Sequence, residues 1–109
     1  MKPIALGLAV LCVAFGASAQ RISRVDGNRV LAACTAKQLV TCDAFVSGVA
    51  DSIGLQPEGK RPACIADGVT GTQLREVLVK YLRAHPETRE QNAALLTARA
   101  LAAAFPCRK

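Results

Sequence analysis

Cys64 and Cys107 bracket a stretch whose pattern reads as two helices meeting at Tyr81-Leu82-Arg83-Ala84-His85-Pro86-Glu87. Antiparallel helices joined there carry both cysteines to the same open end, where one disulfide closes the base of a helical hairpin. Everything else in the chain must then pack on that hairpin. The expected fold class is all-α, a small bundle of about four helices, stapled by disulfides.

The first nineteen residues read as an address. Met1-Lys2 gives a positive start, Ile4 to Gly16 an apolar run, and Ala17-Ser18-Ala19 a small-residue cleavage site, so the mature domain is expected to be residues 20–109. The run is too short for a membrane span of about twenty residues, and no other stretch qualifies. A lipoprotein reading through Cys12 is disfavoured by the bulky Leu11 before it. The expected location is therefore outside the cytoplasm.

Removing that segment leaves Cys34, Cys42, Cys64 and Cys107. An even set in an exported chain of under about a hundred residues argues for disulfides. Helix order favours the pairs Cys34–Cys42, across the first helix–helix turn, and Cys64–Cys107, across the open end of the hairpin. In the chain-entropy model the longer loop is worth about 4 kcal/mol and the shorter about 2.5 kcal/mol. The core needs that help. It has no tryptophan, one tyrosine and three phenylalanines, of which Phe15 lies in the leader.

The helices can be placed from their patterns. Asp26 or Asn28 is expected to cap a short first helix that carries Val30, Leu31 and Ala32 to Cys34. From about Ala36 to Ile53, Leu39, Cys42, Val46, Val49 and Ile53 fall on one face, and Gly54 is expected to supply a left-handed stop. Ala44, Gly48 and Ser52 form a row of small residues on this helix that lets another backbone approach closely, in this subunit or another, and close packing is preferred to a ligand role. Leu55 to Gly68 is a long loop carrying Glu58, Lys60 and Arg61. Thr70 and Gln73 have the form of a capping box, and Leu74, Val77, Leu78, Tyr81 and Leu82 give the third helix its apolar stripe. Pro86 is expected to open the fourth helix, with Glu87 and Glu90 at its positive end. That helix is alanine-rich almost all round, which suits the centre of a bundle or a subunit contact.

No catalytic constellation is visible. His85 is the only histidine, and its place at a helix junction suits capping of the third helix. Ser23, Ser47 and Ser52 lack a nucleophile-elbow setting. Asp43 and Asp51 lie about two helical turns apart, too far for a carboxylate dyad, and Asp43 is expected only to favour an early helical turn. There is no Cys-x-x-Cys, and a zinc site drawing on the cysteines and His85 is disfavoured in an oxidising compartment. No cofactor is expected. With Lys2 gone, thirteen Lys+Arg face eight Asp+Glu, a net charge of +5. These cations are scattered and lack aromatic partners, which argues against nucleic acid.

The residues resemble a family as an ordered set. Cys42-Asp43-Ala44-Phe45-Val46-Ser47-Gly48-Val49-Ala50-Asp51 comes first, then Cys64 with Gly68-Val69-Thr70 and Gln73-Leu74. Tyr81-Leu82, His85-Pro86-Glu87, Ala100-Leu101 and Ala104-Phe105-Pro106-Cys107 complete it. Together they are similar to the Rap/Tai family of type VI secretion immunity proteins over residues 28–107. Phe45 stands where tyrosine is common, Ala63 where an aromatic is usual, and Ala66 where proline is frequent. The resemblance implies an exported, periplasmic, all-helical, disulfide-containing protein, often a homodimer, that binds a peptidoglycan amidase effector and blocks its active site. On that reading the Gly54–Gly68 loop, with Glu58, Lys60 and Arg61, is the expected contact surface. The alternative is a standalone periplasmic module, either stress- or chaperone-like or binding envelope surfaces through its positive charge.

Overall fold

The computed structural model describes residues 24–108 and, in isolation, Pro3 and Gly7; the rest of the leader read over residues 1–19 lies outside the described residues. Four α-helices follow in order: α1 (Gly27–Thr35), α2 (Leu39–Gly54), α3 (Gly71–Ala84) and α4 (Ala93–Ala104). No strand occurs among the described residues, only a single bridge between Asp26 and Asn92. The all-α expectation holds, as do both disulfide pairings, Cys34–Cys42 and Cys64–Cys107. No helix among the described residues is long and apolar enough to cross a membrane.

The apolar stripes meet as their spacing predicts, except that Leu39 at the start of α2 is 39% exposed. Cys42, Val46 and Ile53 of α2 are buried against Leu74, Leu78 and Leu82 of α3 and Leu96, Ala100 and Leu101 of α4. Burying each leucine fully is worth about 1.5–3 kcal/mol. Thr97 can be buried among them because its hydroxyl donates to the Ala93 carbonyl at 2.7 Å, so that this buried polar group is satisfied. The alanines of α4 lie on both its buried and its exposed sides. Ala93 and Ala100 are buried, whereas Ala94, Ala103 and Ala104 are exposed, so this helix is not enclosed all round.

Side chains cap the starts of α1, α3 and α4, whereas α2 has no side-chain cap. The Asp26 carboxylate accepts from the Arg29 amide at 2.9 Å, so Asp26 rather than Asn28 caps α1. Thr70 and Gln73 form the reciprocal capping box of α3, at 3.1 and 2.8 Å. At the other end of α3, His85 Nδ1 donates to the Tyr81 carbonyl at 2.8 Å and the two rings stack. That satisfies one of the helix's last carbonyls, the capping role expected for His85.

Three expectations are corrected. Pro86 and Glu87 do not open the fourth helix; Pro86–Thr88 is a short 3-10 turn, and α4 begins at Ala93 with Asn92 as its cap. The cause is a non-local brace. The Gly27 amide donates to Gln91 O at 3.1 Å, Asn28 N to Arg89 O at 3.0 Å and Ala93 N to Val25 O at 2.9 Å. The Arg89 carbonyl and Ala93 amide, which a longer helix would join to each other, are thus held by Asn28 in the first turn of α1 and by Val25 just before it. This brace requires Gly27, since a Cβ there would lie 2.5 Å from Leu96 Cδ1 and 2.9 Å from Arg89 O.

Gly54 is not a left-handed stop. It is the last residue of α2, and the positive-φ glycines among the described residues are Gly59 and Gly68. The helix ends instead because Arg61 takes up the Gly54 carbonyl and Pro57 follows closely, with no amide to donate. The row Ala44, Gly48 and Ser52 is not a site of packing within the chain either. All three are exposed, and a Cβ added at Gly48 meets nothing within 4 Å.

Candidate functional site

The connector from Leu55 to Thr70 is the one long non-helical stretch between helices, and two turns organise it. In Pro57-Glu58-Gly59-Lys60 the Lys60 amide donates to Pro57 O at 3.1 Å, with Gly59 at φ +83°. In Ala66-Asp67-Gly68-Val69 the Val69 amide reaches Ala66 O at 3.4 Å, with Gly68 at φ +88°. A turn with positive φ at its third residue takes glycine there at no steric cost. Ala63, between the turns, is buried and anchors the connector to the core.

The three residues predicted as contacts separate into two roles. Glu58 and Lys60 sit exposed in the first turn, and neither side chain has an ion pair or hydrogen bond among the described residues. Arg61 is half-buried and faces inward: its Nε donates to Gln56 O at 2.8 Å and an Nη to Gly54 O at 3.1 Å. A guanidinium at a helix C-terminus satisfies orphan carbonyls and favours the negative end of the dipole. Arg61 therefore shapes the surface on which Glu58 and Lys60 stand.

Behind the turns lies an open cleft of about 680 Å³ between the end of α2 and the second half of the connector. Ile53, Ala63 and Leu74 line it from the core, Ile65 and Val69 from the connector, and Asp51 and Asp67 supply carboxylates. Such a hollow suits an apolar side chain presented by a partner, beside an exposed turn that carries charge. Sequence reading did not find it. Its lining comes from two segments, and Asp51, Ile65 and Asp67 carry no local signal of a shared cleft. Among the described residues no cluster of three or more His, Cys, Asp or Glu side chains is arranged to hold a metal ion.

The covalent link at this site is the Cys64–Cys107 bridge, with both residues exposed. Beside it Cys64 N donates to Phe105 O at 2.8 Å, and the Cys107 sulfur lies 3.6 Å from Arg61 O. The connector and the C-terminal tail thus form one lobe at the end of the bundle.

A family model described as Rap1a immunity proteins matches residues 26–107, from the cap of α1 to the last cysteine. The chain belongs to that family. No curated protein and no solved structure matches it. Membership in the Rap1a immunity proteins carries a coarse function, that of an immunity protein, whose partner is a toxin and whose action is inhibitory binding.

Proposed function

We propose that this Rap1a-family protein is exported to the periplasm as a mature domain of residues 20–109. There it binds and occludes a peptidoglycan amidase toxin delivered through a type VI secretion system. The observation that carries the reading is the family match across residues 26–107. The amidase and the periplasm follow from the Rap/Tai resemblance, and two disulfides are compatible with an oxidising compartment.

The mechanism is steric. The Pro57–Lys60 turn places Glu58 and Lys60 against the rim of the amidase active site, while the adjoining cleft receives an apolar side chain from the toxin. Arg61 and the Cys64–Cys107 bridge keep that lobe in one shape, which lowers the ordering cost of binding. The protein contributes no catalytic group.

A homodimer is part of the same proposal. Along the outer side of α2, Val40 is 84% exposed and Leu55 87% exposed, with Ala44, Gly48 and Ser52 between them. A mid-helix glycine costs about 1 kcal/mol relative to alanine, and no neighbour in its own chain explains Gly48. A second copy of α2 laid on this face is the occupant that fits. Coexpression with peptidoglycan amidase toxins of type VI secretion systems, directed to the periplasm, tests the function: cells survive one such toxin if the reading is right and lyse with all of them if it is wrong.

A further inference from the structure

The two disulfides have opposite surroundings. Cys34 is 5% exposed and Cys42 1% exposed, set in the core beside Val30 and Val46, whereas Cys64 and Cys107 are both at the surface. Thiol–disulfide exchange needs a thiolate to reach a sulfur, so access governs which bond reacts first. An attacking thiolate reaches Cys64–Cys107 in the folded protein. It reaches Cys34–Cys42 only after α1 has opened from α2.

The exposed bridge also holds the lobe together. Apart from it, the second half of the connector is tied to the C-terminal tail by one backbone hydrogen bond, Cys64 N to Phe105 O at 2.8 Å. Its apolar anchors are Ala63, which is buried but small, and the half-buried Ile65 and Val69. Little apolar area therefore remains to hold this segment once the bridge is gone. The first half is secured separately, by the Arg61 guanidinium on Gly54 O and Gln56 O.

We propose that Cys64–Cys107 is a redox latch: a dithiol reductant opens it ahead of Cys34–Cys42 and frees residues 62–69 and the C-terminal tail while the α1–α2 core stays folded. One thiolate of the dithiol attacks one sulfur of the bridge, the S–S bond breaks, and the other cysteine leaves as a thiolate that takes up a proton. The second thiol of the reductant then attacks the mixed disulfide and releases the second cysteine. Two electrons pass from the dithiol to the bridge, and the reductant departs as its own disulfide. The freed segment lines the cleft behind the Glu58–Lys60 turn, so the latch sets whether that surface is preorganised. This last consequence rests on the proposed toxin-binding role; the order of reduction does not.

The test uses the oxidised mature protein in a dithiothreitol series, quenched at intervals with iodoacetamide and mapped by peptide mass. Cys64 and Cys107 are expected to become alkylated together, roughly tenfold or more sooner than Cys34 and Cys42. Hydrogen exchange on the half-reduced species should rise over residues 62–69 and 105–108 and stay slow over 42–53. Equal rates for the two bridges, earlier loss of Cys34–Cys42, or loss of protection throughout α2 at the half-reduced stage each overturn the latch. No toxin is needed for this readout. A protein that shows the order yet binds no amidase keeps the latch and loses the immunity reading, and the reverse pattern separates them equally well.

Discussion

One guanidinium nitrogen of Arg75 on α3 donates to both carboxylate oxygens of Asp43 on α2, at 3.0 Å each. The side chains are 18% and 30% exposed, which places the pair at the seam between the helices and short of full burial. Asp43 thus joins two helices, a role beyond the early helical turn expected of it.

That seam should have a measurable coupling. A double-mutant cycle of Asp43→Asn and Arg75→Met in urea unfolding is expected to give an interaction of about 1 kcal/mol, above the level of fully exposed pairs. A coupling indistinguishable from zero would show that the contact is incidental.

Two glycines should respond in opposite directions. Gly48→Ala places its Cβ in open space within a helix and should stabilise the monomer by about 0.5–1 kcal/mol. Gly27→Ala drives a Cβ onto Leu96 and the Arg89 carbonyl and should cost about 1–3 kcal/mol. Thermal unfolding of both variants, at a concentration where the protein is monomeric, checks the pair. Stabilisation by both would contradict the brace at Gly27.

The caps of α3 and α4 are exposed, so their loss is simple to read. Thr70→Ala and Asn92→Ala should each cost about 1 kcal/mol, and Thr70→Ser close to nothing, because serine keeps the acceptor for the Gln73 amide. Chemical denaturation of the three variants measures this directly. An equal loss for alanine and serine at residue 70 would move the effect from the cap to the threonine methyl.

The three charged residues of the connector should separate by readout. Lys60→Glu and Glu58→Lys are expected to leave the melting temperature unchanged and to weaken amidase binding, about tenfold where the contact is desolvated. Arg61→Gln removes the guanidinium from Gly54 O and Gln56 O, so it should lower stability by about 1 kcal/mol and weaken binding through the shape of the lobe. Calorimetric titration beside thermal melts distinguishes the two classes. Unchanged binding in all three variants would place the contact elsewhere.

What could be read from the sequence was what repeats or sits locally. The spacing of Leu39, Cys42, Val46, Val49 and Ile53 located α2, and Thr70 with Gln73 located the start of α3. The disulfide pairs followed from helix order. What escaped was non-local. The brace between Val25–Asn28 and Arg89–Ala93 uses backbone groups, which every residue carries, so nothing in the side chains announces it. Asp43 and Arg75 are 32 residues apart and meet only once the helices have packed. The row at Gly48 was visible, but a small-residue row does not say whether its neighbour lies in the same chain or another. At the candidate site, the charge of the turn was legible, whereas the inward aim of Arg61 depended on where α2 ends.

The central claim is inhibition by occlusion, and the most direct measurement is peptidoglycan hydrolysis by the cognate amidase, titrated with the oxidised mature protein. Activity is expected to fall linearly to zero at a fixed stoichiometry, and a complex of the same composition to elute on size exclusion. Full hydrolysis in the presence of excess protein, with no complex, would contradict that claim.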